Sequence, residues 1–109
     1  MMIRERNHNG VTIVMPVGRL DSSSASQFMS GSPSFSGNGK IVIDLSEVDF
    51  IDSTGLGSLV GIARKKREQG GDVRLACLNE KLRKVFEITQ AFRLFDIYDD
   101  AETAAGRQG

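Results

Sequence analysis

Residues 40–61 read KIVIDLSEVDFIDSTGLGSLVG, and their periodicity changes once, at Asp52. Before it, Ile41, Val42, Ile43 and Leu45 form a nearly continuous apolar run, the pattern of a strand buried on both faces. After it, Leu56, Leu59, Val60 and Ala63 recur at helical spacing, which predicts a helix from Ser53 to about Gln69. Gly70-Gly71 supplies its stop. A buried strand feeding directly into a helix belongs to a strand–helix–strand crossover, so this stretch predicts an α/β domain.

The flanks extend the pattern. Asn9-Gly10 favours a tight type I′ hairpin turn between a short charged strand (residues 2–7) and a second strand in which Val11, Ile13, Met15 and Val17 alternate. Pro16 cannot donate a ladder bond, so its side of that strand is expected at an edge or a bulge. Residues 22–39 carry no charge and are rich in serine and glycine. Ala25, Phe28 and Met29 predict a short helix from about Ser24, ended by Pro33 and the glycines, with a mobile loop after it. Beyond Gly71, Val73, Leu75 and Cys77 alternate as a strand, with Cys77 turned to the core. Asn79 is placed to cap a helix carrying Leu82, Val85, Phe86 and Thr89 on one face. RLFDIYD predicts a last short strand and DAETAA a short terminal helix. The expected architecture is one α/β domain over residues 1–109, a mixed sheet of four to five strands packed against about four helices.

Composition narrows the function. The 109 residues carry 14 basic and 14 acidic side chains, a balance that argues against a nucleic-acid footprint. The basic run RKKR at 64–67 reads as the solvated end of the long helix, where cations complement the helix dipole. Cys77 is the only cysteine and His8 the only histidine, so no internal disulfide is possible and no metal or other cofactor is expected. No apolar run approaches the roughly 20 residues needed to cross a bilayer, and the first ten residues lack a signal core. The expectation is a cytoplasmic protein with no membrane contact, a monomer or weak dimer.

Asp52-Ser53-Thr54 stands where a helix begins and the first amide N–H groups lack intrahelical partners. Asp52 suits the N-cap role, and taken alone the triplet reads as a cap. Gly57 and Gly61 alter that reading: two glycines in a helix interior cost about 2 kcal/mol against alanine, and they share one face. Close packing on the sheet and access for a partner's backbone both explain them. A helix start tolerates an anion, so a phosphate on Ser53 would suit the domain while confronting any partner docked on it. The glycines are spaced GxGxxxG rather than as the dinucleotide fingerprint, and no phosphate-cradling GxxxxGK[ST] run occurs. Asp49 and Asp52 have turn and capping roles, so no enzymatic activity is expected.

GRLD at 18–21, IVIDLSEVDFIDSTGLGSLVG at 41–61 and GGDVRLACLNEKLRKVFEITQAFRLFDIYDDAETA at 70–104 resemble the STAS domains of bacterial anti-sigma factor antagonists. The resemblance implies that a partner serine kinase, itself an anti-sigma factor, phosphorylates the residue after the aspartate, here Ser53, with Thr54 as the fallback acceptor. It implies that only the unphosphorylated form binds that kinase and frees the sigma factor. It implies further that a metal-dependent phosphatase of the PP2C type reverses the mark. The implied partner surface comprises Asp21, Ser22, Asp52, Ser53, Thr54, Gly55 and Leu56. The departure is residues 22–39, where the family usually carries a longer, charged amphipathic helix. Scaffold subunits of stress-signalling complexes and accessory modules of transport systems share the fold and form the alternative reading.

Overall fold

Asn9 and Gly10 both have positive φ (54° and 79°), as a type I′ turn requires. They fold β1 (Met2–His8) back on β2 (Val11–Leu20) in antiparallel register, Met2 opposite Val17 and His8 opposite Val11. The remaining strands are β3 (Lys40–Asp44), β4 (Val48–Ile51), β5 (Asp72–Ala76) and β6 (Asp96–Tyr98). The main sheet runs β1-β2-β3-β5-β6, parallel from β2 onward, and β4 pairs in parallel with the far end of β2. The computed structural model describes residues 1–106.

The sheet therefore holds six strands among the described residues, rather than four to five. The extra one arises because the apolar run of residues 41–51 is broken in the middle. Asp44 Oδ1 accepts from the Ser46 amide at 2.9 Å and the Val48 amide donates to the Leu45 carbonyl at 3.1 Å, a turn that redirects the chain from β3 to β4. Pro16 is buried in an interior strand, not at an edge. It falls between Val14, the last residue paired with β3, and Gly18, the first paired with β4. A residue without an N–H is tolerated where the strand changes partners.

The helices are α1 (Ala25–Met29), α2 (Ser53–Glu68), α3 (Glu80–Ile88) and α4 (Ala101–Gly106). Side chains of the sheet alternate, so the core lies in two layers. Val14, Ile41, Ile43, Val73 and Leu75 face Phe28 of α1, Leu59 and Ile62 of α2, and Leu82 and Phe86 of α3. On the reverse side Ile13, Val42 and Ala76 pack against Ala101, Ala104 and Ala105 of α4, with Val11, Cys77 and Tyr98 at the margin. Short alanine side chains let that six-residue helix lie close to the sheet. None of the described helices is long and apolar enough to cross a membrane.

The short helix expected from about Ser24 is α1, but residues 30–39 beyond it do not form the free loop expected of their composition. After α1 a short 3-10 turn at Pro33–Phe35 buries Phe35, whose ring meets that of Phe28 edge-on at 5.1 Å. The Ser32 hydroxyl donates to the Glu5 carboxylate, and the Ser34 hydroxyl donates to its other oxygen at 3.3 Å. Gln69 Oε1 accepts from the Gly37 amide at 2.5 Å. Lys66 adds a tie that the basic run concealed: it is only 2% exposed, and its ammonium donates to the Ser36 carbonyl at 3.2 Å. Burial lowers its pKa from the ordinary lysine value. The end of α2 is thus not solvated throughout.

Cys77 also departs from the expected alternation. It follows β5 with φ +63° and half-buries its thiol against the α4 layer, not in the main core. Burial, with the Asp44 carboxylate nearby, raises its pKa from 9.0 to about 11. At pH 8 iodoacetamide should therefore label native Cys77 on the order of 100-fold more slowly than the urea-unfolded chain, because only the thiolate reacts. Equal rates in a time course read by intact mass would contradict this placement.

Candidate functional site

The predicted change of periodicity at Asp52 is where α2 begins. Asp52 is extended, and its Oδ1 accepts from the Gly55 amide at 2.8 Å, while its carbonyl accepts the first helical bond from Leu56 at 2.8 Å. Ser53 and Thr54, the next two residues, are exposed. Neither hydroxyl has a hydrogen-bond partner among the described residues.

The end of β2 brings a second segment to the same place. Leu20 pairs with Ile51, and the Asp52 amide donates to the Leu20 carbonyl at 3.3 Å, so the two strands leave the sheet side by side. Residues 21–24 then turn tightly. The Asp21 amide donates to Ser24 Oγ at 3.1 Å, and that hydroxyl donates to the Arg19 carbonyl at 2.6 Å. Asp21 Oδ1 accepts from the Ser23 hydroxyl at 2.6 Å and the Ser23 amide at 2.9 Å, and these donors hold its pKa below the usual carboxylate value. Asp21 is half-buried and Ser22 exposed.

The seven residues assigned to the partner surface fall into three groups. Ser22, Ser53 and Thr54 are exposed, Asp21 and Asp52 are half-buried, and Gly55 and Leu56 are buried. Gly55 and Leu56 shape the site from beneath. A Cβ on Gly55 would lie 2.0 Å from the Leu20 carbonyl oxygen, so glycine alone lets the first turn of α2 approach β2 this closely.

Gly57 and Gly61 turn out to have different reasons. A Cβ on Gly61 would lie 3.2 Å from the Met29 Cε of α1, whereas one on Gly57 would meet nothing within 4 Å. Packing on the sheet explains neither. Gly57 is exposed, one turn beyond Ser53 on the same face, with no internal contact that requires it. Gly57→Ala should stabilise the free domain by about 1 kcal/mol and raise its Tm by about 5 °C in a thermal melt; a fall would reveal a constraint at that position.

Two residues of this end escaped the sequence reading. Arg19 and Phe50 are paired across β2 and β4, and the guanidinium carbon lies 4.1 Å from the ring centroid. Their proximity depends on β4, which was not distinguished from β3.

Fold and site together define a small α/β domain whose capped helix start displays two hydroxyls beside a strand-exit turn. Residues 2–104 match the STAS domain family, and the chain belongs to it. It is similar to the anti-sigma-B factor antagonist of Bacillus subtilis, 40% identical over 60 residues, 55% of either chain. It is also similar to the anti-sigma-B factor antagonist of Listeria monocytogenes, 32% identical over 97 residues, covering 87% of this chain and 84% of that protein. A crystal structure of a putative anti-sigma factor antagonist from Thermotoga maritima superposes with a TM-score of 0.82 at 29% identity, covering 95% of this chain and 92% of that one. Against the Bacillus, Bordetella and Thermotoga relatives the matched segment spans only 55% to 60% of the relative's length.

Proposed function

We propose that the protein is an anti-sigma factor antagonist working by binding rather than catalysis, and that Ser53 is its switch. The unphosphorylated form binds a serine-kinase anti-sigma factor in the cytoplasm and releases the sigma factor. That kinase then phosphorylates Ser53, and a PP2C-type phosphatase removes the phosphate. The observation that carries the reading is the exposed Ser53 hydroxyl, without a hydrogen-bond partner among the described residues, on the first residue of a helix already capped by Asp52. Because Asp52 rather than Ser53 satisfies the Gly55 amide, modification of Ser53 removes no bond that holds the helix start.

The test is to incubate the protein with ATP and each purified serine-kinase anti-sigma factor of the same organism, then to map phosphate by mass spectrometry. The reading expects one phosphate on Ser53. Phosphate confined to Thr54 would move the switch by one residue. No phosphate and no binding by any of the kinases would favour a STAS scaffold or transport accessory.

A further inference from the structure

A surface pair lies next to the proposed switch. The ladder between β2 and β4 slips between Gly18 and Arg19, and Gly18 has φ +110°. The slip leaves Asp49 of β4 as the extra residue and sets Phe50 directly opposite Arg19. The Arg19 guanidinium is laid over the Phe50 ring while Nε donates to Asp21 Oδ2 at 3.3 Å. The Arg19 side chain is 60% exposed and Phe50 is 37% exposed. Asp21, itself held by Ser23, fixes one edge of the guanidinium. The terminal Nη groups have no hydrogen-bond partner among the described residues.

We propose that this Arg19–Phe50 platform is a docking point for a carboxylate side chain on the anti-sigma factor, a deepening that rests on the function proposed above. Its position supports this: Arg19 and Phe50 immediately precede Leu20 and Ile51, after which the two chains enter the Asp21 turn and the Ser53 helix start. The platform is therefore continuous with the proposed partner surface. Its chemistry selects the occupant. A planar, pre-oriented guanidinium with free terminal donors suits a carboxylate, and the ring beneath offers apolar contact. The one carboxylate that meets the guanidinium, Asp21, is engaged at Nε at 3.3 Å and by Ser23, which leaves the Nη edge turned to a partner's carboxylate. Arginine and aromatic pairs of this kind are the side chains that dominate interface energetics.

The experiment uses the unphosphorylated full chain and the serine-kinase anti-sigma factor that binds it, titrated by calorimetry at two salt concentrations, with thermal melts and sedimentation of each variant. Arg19→Glu is expected to weaken binding about 30-fold or more, and Arg19→Lys, which keeps charge but loses the planar fork, by about 3- to 10-fold. Both variants should melt within a few degrees of the wild type, and Arg19→Glu should flatten the salt dependence of affinity. Affinities within two-fold of the wild type for both folded variants would overturn the inference and leave the Ser53 switch standing. Should Arg19→Glu fail to fold, Arg19→Lys decides alone. A wild-type homodimer dissolved by Arg19→Glu with kinase affinity unchanged would assign the platform to a second copy and overturn the proposal. A wild-type chain that neither binds nor is phosphorylated by any such kinase overturns both this inference and the function it rests on.

Discussion

Gly55→Ala should unfold the protein at a temperature about 15 °C below the wild type. The added Cβ would sit 2.0 Å from the Leu20 carbonyl oxygen and 2.7 Å from its carbon, both backbone atoms that cannot rotate away. Either the first turn of α2 lifts or the end of β2 moves. Lifting the turn would lengthen the Gly55 amide bond to Asp52 Oδ1 and pull Leu56 from the core it enters at 8% exposure. The overpacking cost is roughly 3 kcal/mol, far above the small gain in helix propensity, and in a domain of this size each kcal/mol moves Tm by about 4–8 °C. The companion Gly57→Ala, two residues along the same helix, is expected to move Tm upward. Opposite signs for two glycines in one motif would separate a packing requirement from an unoccupied surface, and a melt of Gly55→Ala within 3 °C of wild type would refute the first.

The second large effect is on binding. Phosphorylation of Ser53 adds roughly −1.5 to −2 charge beside Asp52. Within the domain that charge lies against the amide end of a 16-residue helix, which favours it. Across an interface it meets desolvation and like-charge repulsion, each costing several kcal/mol, so the affinity for the anti-sigma factor should fall by about 100-fold or more. Ser53→Ala, which leaves the Asp52 cap intact, should bind within about three-fold of the unmodified chain and resist switching. Ser53→Asp supplies one charge instead of two and should weaken binding only in part. Binding of Ser53→Asp indistinguishable from wild type would argue against a charge mechanism.

Much of this was legible in the residues. The helix start at Ser53, the Asn79 cap, which accepts from the Leu82 amide at 2.9 Å, and the Asn9-Gly10 turn all rest on short-range chemistry that a single sequence displays. The failures share a different cause. β4 went unseen because Val48–Ile51 is four residues long and separated from β3 by a turn whose bonds come from ordinary Asp and Ser side chains. The order in residues 30–39 depends largely on partners far away in the chain: Glu5 for Ser32 and Ser34, Gln69 for Gly37 and Lys66 for Ser36. No periodicity reports such contacts. Lys66 was read as solvated because a lysine in a basic run is solvated unless a loop covers it, and the loop's path is a tertiary fact. The candidate site divides the same way. The Asp52 cap and the exposed position of Ser53 follow from local chemistry and were legible; the Arg19–Phe50 contact is created by a strand pairing and was not.

The most direct measurement takes one preparation of the protein, phosphorylates half of it stoichiometrically at Ser53, and titrates both halves with the same anti-sigma factor while recording amide spectra of each. The account predicts at least a 100-fold difference in Kd, with amide shifts confined to residues near 20–24 and 52–57 and the sheet resonances unmoved. Equal affinities, or a loss of binding accompanied by shifts throughout the core, would contradict it, since the switch would then lie either elsewhere or in the fold itself.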